Sequence, residues 1–110
     1  MKYYIITIKN NDFKNYNDKE TFDKIIEKVA KDSNYIDKIT YENDSNIRLH
    51  LHAICGFRKT PYYKKYSKKG YHVHFREFDK KDIYKVNTYL SKEPHPLISN
   101  HYYHNYSMRD

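Results

Sequence analysis

The run IRLHLHAICGF (47–57) alternates its chemistry residue by residue: Leu49, Leu51, Ala53 and Cys55 share one parity, and Arg48, His50 and His52 share the other. Side chains point to opposite faces along a β-strand, so this run makes a strand with one apolar face and one face bearing two imidazoles. A strand of that kind belongs to a sheet that is covered on one side and partly open on the other. YHVHF (71–75) repeats the pattern with His72 and His74. Two histidine pairs therefore compete for the same reading.

The other segments supply the sheet and its cover. KYYIITIKN (2–10) and YIDKITYE (35–42) are rich in aromatic and β-branched residues and read as strands. NDSN (43–46) is turn chemistry, which joins 35–42 to 47–57 as a hairpin. Phe22, Ile25, Ile26 and Val29 recur at i, i+3, i+4 and i+7, the stripe of an amphipathic helix. Asn17 and Glu20 form a capping box at its start, and its end falls near 32–34. YHVHFREF (71–78) is a fourth strand. A second helix is expected from Asp79, as N-cap, to just before Pro94, with Ile83, Val86 and Leu90 inward. Between them KTPYYKKYSKKG (59–70) is basic and aromatic, with Pro61 and Gly70 placed to open and close a short helix. The order β-α-β-β-(α)-β-α predicts an α+β, ferredoxin-like antiparallel sheet of about five strands with helices packed on one face. The tail, 95–110, is read as a short strand or a disordered end.

At 110 residues the chain is sized for one domain, and with only two Gly and three Pro it holds no long low-complexity linker. Its aromatic content is 17%, with 14 Tyr and no Trp, so the core draws on aromatics with polar tips. The net charge of +7 favours a polyanionic partner such as nucleic acid. A single cysteine, Cys55, excludes an intramolecular disulfide and fits a reducing compartment. No apolar run approaches a membrane span, and the first residues lack a signal peptide's pattern. The expectation is a soluble intracellular protein with no membrane partner.

Glu42 ends the strand before the hairpin turn and can be brought beside His50 and His52. Two imidazoles and a carboxylate suit a divalent cation such as Mn²⁺ or Mg²⁺; the lack of thiolates argues against structural zinc. On the second helix Tyr89 lies at the margin of the apolar stripe, and Lys92 follows at i+3. A tyrosine hydroxyl, a lysine and a histidine-held cation are the parts of a phosphodiester transesterification. The basic-aromatic segment is either a solvated loop or a grip on phosphates and unpaired bases. Candidate nucleic-acid contacts are Lys9, Asn10, Arg48, Lys59, Tyr62, Tyr63, Lys64, Lys65, His72, His74, Arg76 and Lys85.

Taken together, IITIKNN (5–11), HLH (50–52) and YLSK (89–92) resemble, in order, the three motifs of the HUH endonuclease domain of rolling-circle replication initiators, the Rep proteins of small circular single-stranded DNA viruses and related plasmids. The resemblance spans roughly residues 4 to 93, and it divides the chain into an endonuclease domain at 1–94 and the tail. It implies metal ligation by Glu42, His50 and His52, with Tyr89 as nucleophile and Lys92 as its aid. It places no ligand on the strand of His72 and His74, for which DNA contact or support of the site is preferred over direct metal binding. It also implies a sequence-specific single-stranded DNA nickase and strand-transferase. Tyr89 would attack a phosphodiester at a replication origin to give a 5′-phosphotyrosine link and a free 3′-OH. Further partners on that reading are a second copy of the chain or host replication proteins. The chain departs from the family pattern at Ile8-Lys9, where Leu-Asn is commoner. The helicase domain that follows in many viral initiators is not among these residues, so the expectation is either a minimal initiator or an excised domain. Two other readings stand beside it. One is a one-tyrosine transposase of the same superfamily, although those usually carry Gln or His at the position of Lys92. The other is a non-catalytic nucleic-acid-binding protein, disfavoured because the open face carries His and Glu rather than aromatics.

Overall fold

A computed structural model describes residues 1–11, 19–43, 49–90 and 93–94, with backbone alone at 43, 89, 93 and 94. Four full strands, β1 (Lys2–Asn10), β2 (Tyr35–Asn43), β3 (Leu49–Phe57) and β4 (Tyr71–Phe78), form an antiparallel sheet. A two-residue strand, β5 (Glu93–Pro94), extends it beside β2, giving the order β4-β1-β3-β2-β5. The α+β antiparallel class is as expected, and the strand boundaries at 2–10 and 71–78 match the pattern read from sequence. The capping-box Asn17, the hairpin turn and the tail from residue 95 lie outside the described residues.

Helix α1 (Lys19–Asp32) buries the stripe Phe22, Ile25, Ile26 and Val29 together with Ala30. This stripe packs on Tyr4, Ile6 and Ile8 of β1, Leu49, Leu51, Ala53, Cys55 and Phe57 of β3, and Ile36, Ile39 and Tyr41 of β2. Phe22 is fully buried, so burial of its ring contributes on the order of 2–3 kcal/mol. Tyr41 anchors the helix from below by donating its hydroxyl to Asp23.

The basic-aromatic segment folds differently from expectation. Its helix is a single 3₁₀ turn, Tyr63–Tyr66, and ends at Ser67 rather than at Gly70. Gly70 instead takes a left-handed backbone, φ +87°, at the entry to β4, a conformation open to glycine without steric cost. Tyr66 is a core residue, stacked on Phe75 at 5.6 Å, with its hydroxyl donating to Asp32 at 2.8 Å. This anchor pins an otherwise exposed loop.

The second helix is also shorter. A 3₁₀ turn at Lys80–Asp82 leads into α2 (Ile83–Tyr89), and the Asp79 side chain makes no capping bond. The chain then has only a few residues in which to reach β5, so helical geometry stops at Tyr89. The helix ends at Tyr89, and Lys92, expected one turn on from it, lies outside the described residues. Nor do both helices cover one face. Val86 and Lys85 of α2 share a groove with Ile5, Arg76 and Phe78, which stand on the side of the sheet opposite α1. The reason is apolar patterning on that second face: Ile54 is fully buried and Leu90 is 1% exposed, so part of the histidine face needs its own cover.

Candidate functional site

The face away from α1 is a grid set by strand register. Glu42 pairs with His50, His50 with Lys9, and Lys9 with His72. The next row runs Thr40, His52, Thr7, His74, and a third holds Ile54, Ile5 and Arg76. Both histidine pairs thus share one face, two strands apart, which is about 10 Å. The acidic end lies at β2 and the basic end at β4.

Alternation along each strand is local, and it alone puts His50 with His52. Bringing Glu42 to them depends on the β2–β3 register. His52 Nε2 lies 3.0 Å from Glu42 Oε2, with side-chain exposures of 14% and 28%. Its other nitrogen, Nδ1, is 3.2 Å from the Thr7 hydroxyl. The ring is therefore held at both ends. The His50 ring stands perpendicular to it, with centroids 6.1 Å apart.

Mn²⁺ or Mg²⁺ is the kind of ion such donors would take. Donor type and register fit, and Glu42 and His52 already face one another. The Thr40 hydroxyl, across from His52, is buried and makes no hydrogen bond among the described residues. A buried orphan of this sort is satisfied by water or by a ligand oxygen. The fit is incomplete at the third ligand: among the described residues no three His, Cys, Asp or Glu side chains converge on one point.

The second pair differs in kind. The His72 and His74 rings are exposed and nearly parallel, with centroids 5.7 Å apart and 15° between planes. They line an open groove with Tyr63 and Ser67 along the outer edge of β4. Lost hydration between its neighbours, then the charges of Lys9 and His74, hold the His72 imidazole below its ordinary pKa. It is therefore a neutral ring near pH 7, suited to stacking and hydrogen bonding.

The remaining candidates separate by position. Lys9, Arg76 and Lys85 belong to the histidine face or its rim. Asn10 does not: it follows the parity of Ile6 and Ile8 on the α1 side and is 7% exposed, so it offers no contact on this face. Tyr62, Tyr63, Lys59 and Lys64 are exposed around the 3₁₀ turn. Lys65 is turned toward α1, where its ammonium meets Asp32 at 2.8 Å. Arg48 lies outside the described residues. Tyr89 is the last residue of α2, and only its backbone is described.

Thr7 and Thr40 were not among the candidates. Their place in the β1 and β2 alternation is visible in the sequence, but not which strand lies beside them. Comparison with protein-family models, with curated proteins and with solved structures gives no match.

Proposed function

We propose that the chain is a metal-dependent single-stranded DNA nickase and strand-transferase of the HUH type, acting through Tyr89. The observation that carries this reading is the sharing of one sheet face by Glu42, His50 and His52 with the helix that ends in Tyr89. Pro94, five residues on, pairs with Thr40, the residue opposite His52. Five residues span at most about 17 Å, so the chain itself tethers Tyr89 near the site.

Each group has a part. Glu42, His50 and His52 would hold the cation, which when bound supplies charge stabilisation at the phosphoryl oxygens. The Tyr89 hydroxyl oxygen attacks phosphorus, the bond to the 3′-oxygen breaks, and that oxygen leaves as a 3′-OH with the proton that tyrosine gives up. The 5′-phosphate stays on Tyr89. Lys92 offsets charge on the transferring phosphoryl group. Lys9, His72, His74 and Arg76 extend the face from the cation ligands toward β4, and a DNA strand laid across the rows would meet the cation at one end and cationic or stacking groups at the other.

The test is incubation of the full chain with single-stranded DNA carrying candidate origin sequences and Mn²⁺, followed by a denaturing gel. A covalent adduct is expected with the native protein, absent with Tyr89→Phe and absent with EDTA. An adduct that survives Tyr89→Phe, or none with the native protein on any origin-bearing strand, overturns the reading. DNA binding without an adduct would select the non-catalytic alternative. Cleavage confined to hairpin-bearing transposon ends would select the transposase.

A further inference from the structure

Helix α1 and the 3₁₀ turn enclose a groove of about 280 Å³ on the side of the sheet away from the histidines. Thr21, Lys24 and Lys28 of α1 form one wall, and Lys65, Ser67 and Lys68 form the other. Among the described residues no carboxylate lines it. Two of its ammonium groups are answered at the rim, Lys65 by Asp32 at 2.8 Å and Lys24 by Glu20 at 3.6 Å. Lys28 instead donates to the uncharged Lys65 carbonyl at 3.1 Å, and Lys68 has no carboxylate partner among the described residues. The groove is also preformed. Tyr66, stacked on Phe75 and bonded to Asp32, holds the loop down, and the Lys28 bond crosses from helix to loop.

Ammonium and hydroxyl groups donate hydrogen bonds, and a phosphodiester offers acceptor oxygens and negative charge. The larger apolar residues of the groove, Ile25 and Tyr66, are buried, so no ring lies open for a base to stack on. Contact here is to the backbone and indifferent to sequence. Ser67 also lines the groove of His72 and His74, so the two grooves adjoin at the outer edge of β4. We propose that the lysine groove binds the sugar-phosphate backbone of single-stranded DNA that continues past the histidine face, around the edge of β4, onto the α1 side. The inference rests on single-stranded DNA as the partner in the proposed function, and not on its cleavage. A strand on this path is held on both sides of the sheet. The groove adds affinity and leaves selection of sequence to the histidine face.

The experiment follows binding of a fluorescein-labelled oligothymidylate to the full chain, by anisotropy across a sodium chloride series. Lys28→Gln/Lys68→Gln removes two groove charges, and Lys31→Gln/Lys81→Gln removes two from exposed lysines outside it. Each phosphate contact on a single strand adds about 0.7 to the slope of log K against log salt, or about fivefold in affinity near 0.1 M. The groove variant is expected to lose about 0.7–1.4 in slope and about 5–25-fold in affinity, with the outer pair close to native. In the native chain the oligothymidylate should shift the amide NMR signals of Thr21, Lys28 and Ser67. Equal losses in both variants, native behaviour in the groove variant, or shifts confined to the histidine face overturn the proposal. Groove shifts with inorganic phosphate but none with the oligothymidylate would assign the site to a small anion and overturn it as well. If the groove variant does not fold, the native shifts and Lys68→Gln alone decide. A native chain that does not bind the oligothymidylate defeats this inference, while an adduct on origin-bearing DNA would still uphold the nickase. Groove binding without any adduct would leave the groove in this role and remove only the nickase.

Discussion

Glu42 stands directly opposite His50, and it does so on a strand that carries one residue too many. Between Asp37 and Thr40, Lys38 and Ile39 of β2 face the single Ala53 of β3. Lys38 takes up the excess with a left-handed backbone, φ 53°. This bulge lets Ile36, Ile39 and Tyr41 all reach the core, although 36 and 39 differ by an odd number, while Thr40 and Glu42 turn to the histidines.

A left-handed lysine is strained where glycine is not. Lys38→Gly is therefore expected to raise stability by about 0.5–1 kcal/mol, and Lys38→Val to lower it by about 1–2 kcal/mol. Urea denaturation measures both. Equal stabilities for the two variants would contradict the bulge geometry.

Tyr66 ties the basic-aromatic loop to α1 through Asp32. The hydrogen bond from Lys65, then that from Tyr66 and the nearby ammonium charges, keep the Asp32 carboxyl below its ordinary 3.8 against the opposing effect of burial. A carboxylate with a depressed folded pKa adds stability above its unfolded pKa and loses it as pH falls through the folded value. Tyr66→Phe is expected to cost about 1–2 kcal/mol at pH 7, shrinking as the pH is taken below 3.8. A cost that is the same at both ends of that range would show that the hydroxyl contributes through packing alone.

Lys9 sits across from His72 and opposes its protonation. The His72 midpoint, followed by NMR, is expected below 6.5 and should rise in Lys9→Met. Because the folded chain takes up this proton less readily than the unfolded one, acidification from 6.5 through the folded value works against the fold. Bound DNA phosphates should reverse the trend and raise the midpoint. A midpoint indifferent to Lys9→Met would separate the two side chains.

Cys55 is fully buried, and burial pushes its thiol well up from the ordinary range. The thiolate is the reactive form. Labelling by a maleimide or by Ellman's reagent is therefore expected only at the rate of opening of the sheet, rising steeply through the urea transition. Rapid labelling of the native protein would place Cys55 outside the core.

The amino-acid sequence alone determined which residues share a face within each element. The parity of 49–55 put His50 with His52 and Cys55 with the core, and the spacing of Phe22 to Val29 marked the buried side of α1. Those relations follow from strand and helix periodicity, which is local. Helix length at 79–93 was misjudged because propensity does not register the demand of β5 for extended chain beside β2. Tertiary structure alone decided that Thr7 meets His52, that both histidine pairs lie on one face, and that α2 covers that face instead of joining α1. Each depends on register and strand order between segments far apart in the chain, chosen by how the whole set of apolar faces is buried at once.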